Sequence, residues 1–352
     1  MRARSPRRRV SQADVARAAG VSPALVSVVV NNRVDGPIRI SEATRSRVRQ
    51  TIEELGYVPD PAARRMVGAA SNVLGVFTYE SVFPLGGENF YREFLVGVED
   101  AAEEVGRDLL LVTSSRRVER RSLYANGVNG LRLADGGLLI GSDADPDEMH
   151  RLIDEGYPFV FIGERYIDGC ELSFAAADYI GGTRAAIGRL HDLGHRRIAL
   201  LASHHDPVPG RREGYRQGCR DWGLELREVE HTLRGVAREE RVAEIRRILD
   251  DLLADEFTAV LTQSSHHARL VRTEARARGL VLGRDLSLVD LGGDVHAAGP
   301  GELTALDLPR REMGREAVRL LLALIDEPDG APYRVWLDCP LVDGGTVGPP
   351  PA

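Results

Sequence analysis

Apolar residues recur every three or four positions in three short stretches near the start of the chain, which is the spacing of amphipathic helices. Ser11 is placed to cap the first helix, and residues 20–22 (Gly-Val-Ser) predict a tight turn after it. Pro23 then suits the first position of a second helix. One face of these two helices carries Val15, Ala16, Ala19, Val26, Val29 and Val30. Two short helices joined in this way predict a helix-turn-helix.

A third helix is predicted from Ser41, its cap, to about Leu55, and Gly56 ends it. Thr44, Val48, Ile52 and Leu55 are spaced to pack on the first two helices. Residues 57–68 follow with two prolines, and one or two helical turns fit between Pro61 and Gly68. So short a helix is marginal in water, and we expect it to need a partner or a ligand to form.

From residue 73 onward, short apolar strands alternate with longer amphipathic segments. Predicted strands cover 73–79, 108–113, 137–140, 158–163, 172–177, 197–201, 229–232, 259–262 and 286–291. Predicted helices between them include 91–104, 181–193, 210–222, 239–253 and 268–278. This alternation indicates parallel sheets covered by helices, and nine strands fit two smaller doubly wound sheets better than one. Ligands of such sheets bind outside the carboxyl ends of the strands, so a cleft between two lobes is expected.

Charge divides the chain into a basic head and an acidic body. Residues 1–70 hold 13 Arg against 6 Asp and Glu, a balance of +7, whereas the whole chain of 352 residues carries −7 and the remainder therefore −14. Attraction to phosphates needs local positive charge, so only the head is suited to a polyanion. All 46 basic residues are Arg. The chain thus lacks the lysine of a P-loop or of Schiff-base chemistry.

Several classes of protein are disfavoured by the composition. Cys170, Cys219 and Cys339 are widely spaced and form no C-x-x-C pair, which argues for reduced thiols rather than a disulfide framework or a zinc ribbon. An apolar run of 18 residues is lacking, and the Arg-rich N-terminus leads into a helix instead of a signal-peptide core. We therefore expect a cytoplasmic protein that neither spans a membrane nor needs a cofactor.

Taken in order, the motifs resemble those of the LacI/GalR family of bacterial transcription repressors along essentially the full chain. The matching segments are Asp14–Ser22, Val26–Ser27, Asn31, Ser41–Val48, Leu55–Pro59, Ala63–Arg64, Leu74–Val76, Asp178 with Gly181, and Leu193–Ile198. The resemblance implies an α/β protein: an N-terminal all-α helix-turn-helix domain followed by a two-lobed, doubly wound parallel-sheet core like a periplasmic binding protein.

The implied domains are a basic tail at 1–9, a helix-turn-helix domain at 10–58, a hinge helix and linker at 59–71, a core at 72–345 and a tail at 346–352. Within the core, lobe 1 is expected at about 72–172 and 305–331, and lobe 2 at about 173–304 and 332–345. The core would dimerise and bind a small effector. Two-fold symmetry then implies a pseudo-palindromic operator in double-stranded DNA.

By the same resemblance, a set of residues would contact the DNA backbone: Ser11, Ser22, Ser27, Asn31, Ser41, Arg45, Tyr57 and Arg64. Ala63 is also expected at the DNA. Pro23 and Ala24 occupy the base-reading positions, where only apolar contact is open to them, for instance with a thymine methyl group. Leu25 and Val28 stand where the family usually has Thr and Arg, and Arg33 and Arg39 in the following connection are placed to compensate. Met66 would wedge into a base step of the minor groove.

The implied effector site draws on both lobes. Tyr79, Phe90 and Tyr91 follow the first strand and resemble the family's ligand-contacting aromatic residues, and Arg211 matches its effector-binding arginine. In lobe 2 the usual Asn-Asp pair reads Ser264-Ser265. The usual ligand aspartate falls on Gly292, so Asp290 or Asp294 is the expected substitute. A sugar is the default effector of such a site.

The predicted function is therefore that of a dimeric DNA-binding transcriptional regulator, most simply a repressor, whose operator affinity depends on a small effector. The alternative is a small-molecule-binding protein without physiological DNA binding. An enzyme on the same core is disfavoured because Gly-rich phosphate loops and nucleophile motifs are lacking. His204, His205 and Asp206, or His266 and His267, invite a metal interpretation, but adjacent side chains point to different faces.

Overall fold

The computed structural model describes residues 10–30, 40–57, 71–80, 90–113, 121–141, 144–203, 209–231, 236–293, 303–330 and 332–351. The chain divides into two compact units, residues 1–73 with 133–135 and residues 74–132 with 136–352. Several predicted features lie outside the described residues, namely the hinge helix, Asn31, Arg33, Arg39, Ala63, Arg64, Met66 and Asp294.

The first unit contains three helices, α1 (Gln12–Ala19), α2 (Pro23–Val30) and α3 (Glu42–Leu55). Ser11 and Asp14 form a capping box at the start of α1, and Gly20 ends that helix in the left-handed conformation with φ +68°. The core of this unit consists of Val15, Ala16, Ala19, Val26, Val29 and Val48. The predicted packing of Leu55 is wrong: its side chain is exposed, and Thr51 is buried instead.

The second unit contains the remaining helices, α4 (Arg92–Glu104), α5 (Pro146–Asp154), α6 (Tyr179–Asp192), α7 (Gly210–Asp221), α8 (Arg238–Ala254), α9 (Ser265–Ala277) and α10 (Arg310–Asp326). In the described part of the chain, no single helix is long and apolar enough to cross a membrane. Only α1 and α2 taken together, with a bend of 105° between them, have the length and composition to do so.

Twelve strands are described: β1 (Val73–Thr78), β2 (Asp108–Val112), β3 (Gly136–Ile140), β4 (Phe159–Ile162), β5 (Phe174–Ala177), β6 (Ile198–Ser203), β7 (Glu228–His231), β8 (Ala259–Thr262), β9 (Ser287–Asp290), β10 (Thr304–Leu306), β11 (Arg334–Leu337) and β12 (Leu341–Val342). The first nine match the predicted strands. The last three were not predicted because each is short, and β11 mixes Arg and Trp with its apolar residues. The helices α5 and α10 were also missed, although α10 has helical apolar spacing.

Strands of the second unit form two six-stranded sheets, which confirms the predicted pair of doubly wound sheets. The strand orders are β11-β5-β4-β3-β1-β2 in lobe 1 and β12-β10-β9-β8-β6-β7 in lobe 2. In lobe 2 only the short edge strand β12 runs antiparallel to its neighbour. Because β5 and β11 pair with each other in lobe 1, the predicted boundaries at 172/173 and 331/332 are corrected: the chain changes lobe several residues later.

The chain passes between the lobes three times, at Asp178, at residues 307–309 and at residues 338–340. Backbone hydrogen bonds join these crossings: the Asp178 N–H donates to Leu337 O at 2.7 Å, and the Asp307 N–H donates to Pro340 O at 2.8 Å. One apolar cluster also continues through both lobes and includes Leu306 and Cys339 beside the crossings. The two lobes therefore share one hinge and part of one core.

Two histidines are buried in lobe 2 with their rings in contact. The His231 and His267 ring centroids lie 4.2 Å apart at right angles. Both side chains are more than nine-tenths buried, and neither nitrogen of His231 has a hydrogen-bond partner among the described residues. Burial lowers the pKa of His231, and burial followed by the neighbouring His231 lowers the pKa of His267 to about 3. The groups that face the pair are His266, Arg241 and Glu244.

We expect this pair to make the core unstable in acid. The unfolded chain takes up protons near pH 6.5, while the folded chain resists protonation down to about pH 3 at His267, so stability falls as the pH drops below about 6.5. His267 alone contributes a slope of at most about 1.4 kcal/mol per pH unit. Thermal melting between pH 7.5 and pH 5 should show a falling Tm.

The variant H267Q should flatten this pH dependence, because glutamine has no proton to gain, even if it lowers the Tm at pH 7.5. The exposed His150 gives a matched control, H150Q, which should keep the slope of the wild type. Equal slopes for wild type and H267Q would contradict the assignment.

Candidate functional site

The N-terminal end of α2 presents the two predicted base-reading residues to solvent. Pro23 and Ala24 are exposed, whereas Leu25 and Val28 are only half-exposed. Pro23 is also fixed to α1, because the Gln12 side-chain amide donates to its carbonyl oxygen at 3.0 Å. The end of α2 is therefore a rigid, apolar tip, as base contact through methyl and ring carbons requires.

Three of the serines predicted to hold phosphates are helix caps. The Ser22 hydroxyl accepts from the Leu25 N–H, and the Ser41 hydroxyl accepts from the Thr44 N–H, each at 3.3 Å. Caps of this kind leave other backbone N–H groups at the helix ends for an anion. Ser11 differs, because its hydroxyl already donates to Asp14 at 2.6 Å. Any phosphate contact at this cap would have to compete with that carboxylate.

The other predicted backbone contacts are only partly accessible. The Arg45 side chain is 14% exposed and lies 4.0 Å from the Glu42 carboxylate. Tyr57 packs against the apolar core of the first unit, and Ser27 is half-buried on α2. Their roles at a DNA backbone stay predictions.

In lobe 1 the three predicted aromatic residues have different surroundings. Tyr79 is only 3% exposed, belongs to the apolar core on the α5 side of the sheet, and donates its hydroxyl to Glu148. Phe90 is 40% exposed, and the Tyr91 hydroxyl donates to the Glu80 carboxylate at 2.8 Å. The structure thus places Phe90 and Tyr91 near the strand ends and Tyr79 within the core.

Arg211 lies at the start of α7 in lobe 2, on the side of that lobe that faces the cleft. Its Nε donates to Leu291 O at 3.0 Å, and its guanidinium carbon lies 3.9 Å from the ring centroid of Tyr179. The side chain is 8% exposed. The guanidinium is held flat against a ring and fixed at one end, so its orientation is set before any ligand binds.

Asp290 does not replace the missing ligand aspartate. Its side chain is fully buried, and its two oxygens accept from the Gly292 N–H at 2.7 Å and from the Ser265 hydroxyl at 2.6 Å. A Cβ on Gly292 would lie only 2.4 Å from Ser265 N and 2.7 Å from its Oγ. Ser265 therefore occupies the space that a side chain at position 292 would need.

A buried carboxylate in lobe 1 that was not predicted lies close to lobe 2. Glu164 is 6% exposed, and its Oε1 accepts from the Tyr166 hydroxyl at 2.6 Å and from the Trp336 indole at 3.4 Å. Its other oxygen, Oε2, lies 3.4 Å from where a Cβ on Gly210 of lobe 2 would be. The sequence contained a signal for this residue, since Glu164 is the second residue after the carboxyl end of β4.

A second missed residue connects the lobes. Arg310, the first residue of α10, donates to the Gly293 carbonyl oxygen of lobe 2, and its guanidinium carbon lies 4.7 Å from the ring centroid of Phe90 in lobe 1. This arginine therefore links a predicted effector contact to the segment that follows β9. Its position directly after the second crossing marks it as a hinge residue.

Comparison with known proteins decides the family. The family model described as "Bacterial regulatory proteins, lacI family" matches residues 12–60, and the model described as "Periplasmic binding protein-like domain" matches residues 187–347. The HTH-type transcriptional regulator CelR of Thermobifida fusca is 33% identical over 96% of this chain and 98% of its own length. This chain belongs to the lacI family of bacterial regulatory proteins. It is a helix-turn-helix transcriptional regulator, as the sequence predicted.

Further relatives of this lacI-family regulator agree with that assignment. The HTH-type transcriptional repressor CytR of Escherichia coli is 27% identical over 99% of both chains. Among solved structures, the CelR–cellobiose complex is 30% identical, with a TM-score of 0.61 over 96% of this chain and all of its own. The lac repressor dimer bound to operator, at 22% identity and a TM-score of 0.72, shares the fold. These relatives are regulators of transcription, not enzymes.

The crowding at Gly292 gives a testable prediction. The variant G292A should destabilise the core by about 1–3 kcal/mol, because its methyl group would displace Ser265 and weaken the contact with Asp290. Denaturant unfolding measures the loss. The variant S265A removes the hydroxyl but keeps the backbone, so it separates loss of the hydrogen bond from the steric clash. A G292A protein as stable as wild type would show that this space is open.

Proposed function

We propose that this regulator is a cytoplasmic homodimeric repressor that binds a pseudo-palindromic operator and responds to a saccharide held between its two lobes. It acts by binding and catalyses no reaction. The observation that carries DNA recognition is the rigid, exposed tip of α2, formed by Pro23 and Ala24. Such a tip reads bases by apolar contact, so sequence preference would centre on thymine methyl groups.

The side chains proposed to line the cleft support a saccharide as the effector. Glu164 supplies carboxylate oxygens and Arg211 supplies N–H donors, the two kinds of group that bind sugar hydroxyls, and Phe90 adds an exposed ring. The proposed site does not include Asp290, because its carboxylate is fully buried and holds Gly292 and Ser265 in place. The CelR relative, solved with cellobiose, supports the same class of ligand.

Control of DNA binding would pass through the hinge. A ligand that contacts Phe90 and the strand ends of lobe 2 would change the contacts that Arg310 makes with the Phe90 ring and with the Gly293 carbonyl oxygen. It would therefore favour one angle between the lobes. Coupling of this kind is typically about 1–3 kcal/mol, or about 5- to 150-fold in affinity. The alternative function, effector binding without physiological DNA binding, predicts no specific operator.

The DNA interface is tested with A24D, which places a negative charge at the α2 tip. Repulsion from DNA phosphates should reduce binding to a fragment selected from a random pool by about tenfold or more. Electrophoretic mobility shift at several salt concentrations measures this. The matched control is A277D, which makes the same substitution at an exposed position of helix α9 in lobe 2. This variant should bind the DNA fragment like wild type. If selection from the pool enriches no sequence, the regulator proposal fails.

The effector site is tested with R211M. Methionine keeps most of the packing volume against Tyr179 but removes the donors, so a saccharide should no longer change operator affinity, while binding to the operator itself should persist. R216M on the same helix, whose arginine pairs with Glu228, provides the control. An unchanged saccharide response in R211M would exclude Arg211 from the site.

A further inference from the structure

The carboxylate of Asp135 holds the chain immediately before β1. Its Oδ1 accepts from the Ser71 N–H at 2.6 Å and from the Ser71 hydroxyl at 2.8 Å, and its Oδ2 accepts from the Asn72 N–H at 2.9 Å. Hydrogen bonds to an ionised carboxylate are about twice as strong as those between neutral groups. We call Asp135, Ser71 and Asn72 the linker clamp, because residues 71–72 end the connection between α3 and β1.

The backbone of the clamp has an uncommon conformation. Asn72 has φ +61°, and in the described part of the chain Glu256 is the one other non-glycine residue in the left-handed region. This conformation costs free energy for a residue with a side chain and persists where the surroundings fix it. Two successive N–H groups donate to one carboxylate here, as in anion-binding turns of the backbone. The clamp therefore fixes the direction in which the chain enters β1.

Asp135 itself is held at the amino ends of two neighbouring strands. It directly precedes β3, and its N–H donates at 2.8 Å to the carbonyl oxygen of Val73, the first residue of β1. This bond extends the parallel pairing that begins with Leu74 and Gly136. All five residues of β3 are buried, and so are the last five of β1. The carboxylate is thus fixed to the sheet of lobe 1, and the end of the linker is fixed to the carboxylate.

We propose that Asp135 is a positioning residue for operator binding: by holding Ser71 and Asn72 it sets the direction of the linker where the linker leaves lobe 1. The two heads of a dimer must reach two half-sites at a set separation, so operator affinity depends on that direction, whereas attraction to the phosphates of any sequence does not. All three clamp residues belong to the compact unit of α1–α3. The inference rests on the proposed binding of a pseudo-palindromic operator.

The variant D135A removes the three hydrogen bonds of the clamp and tests the proposal. It should lower affinity for the operator fragment selected from a random pool by about tenfold or more, and change affinity for a fragment of scrambled sequence by less than about twofold. Electrophoretic mobility shift measures both affinities. D135N should lose less operator affinity, because its amide oxygen can still accept from Ser71 while its amide nitrogen cannot accept from the Asn72 N–H.

Asp145 gives the matched control, since its carboxylate caps α5 in the same lobe by accepting from the Asp147 N–H at 3.0 Å. D145A should bind the operator like wild type. Thermal melting of each variant shows whether it is folded at the assay temperature, and if D135A is not, the same comparison is made with D135N.

Operator affinity equal to that of wild type would overturn the role of Asp135 and leave operator binding standing. Equal losses for operator and scrambled DNA would also overturn it, as would a loss in D145A of the same size, because either result would mean that Asp135 only stabilises the fold. If the wild type enriches no sequence from the pool, operator binding itself fails, and the role of Asp135 fails with it.

Discussion

The lobe structure depends on the three crossings between the sheets and on the hydrogen bonds that join them. Each sheet is completed by a strand from far along the chain: β11 completes lobe 1, and β12 completes lobe 2. Neither sheet is complete until the chain has crossed back. Asp178 and Asp307 both donate backbone hydrogen bonds to the segment around the third crossing, so the three crossings are joined in one hinge.

The position of the hinge also determines where ligand-binding groups can lie. Strand ends from both sheets face each other across the hinge, so polar groups there come from loops that are distant in sequence. In lobe 2 the Asp290 carboxylate is used to fix Ser265 and Gly292, which makes it a structural group. In the proposed site the carboxylate comes from lobe 1 instead, at Glu164, which accepts hydrogen bonds from two aromatic side chains.

Arginine performs many of the linking roles in a chain that has no lysine. Arg211 fixes the Leu291 carbonyl and stacks on Tyr179, and Arg310 joins Phe90 to the Gly293 carbonyl. Both use the planar guanidinium in two ways at once, stacking with its face and donating with its edge, which an ammonium group cannot do. Each of these two arginines therefore connects an aromatic ring to a backbone carbonyl group near the hinge.

Local signals in the sequence determined the helix-turn-helix and the alternation of strands and helices. Ser11, Gly20, Pro23 and Gly56 act through the backbone within a few residues, so their caps and turns could be predicted without the rest of the chain. Apolar periodicity likewise predicted nine strands and the presence of two sheets. Motif resemblance supplied the family, which the relatives confirm.

Only the tertiary structure decided which side chains are exposed near the cleft and which are buried. Tyr79 follows β1 just as Phe90 does, yet packing against the α5 side buries the first and leaves the second exposed. Asp290 and Glu164 are both carboxylates at strand ends, and only their neighbours make one structural and the other suited to a ligand. Such differences arise because burial and hydrogen-bond partners come from residues far apart in the chain, and no local pattern records those contacts.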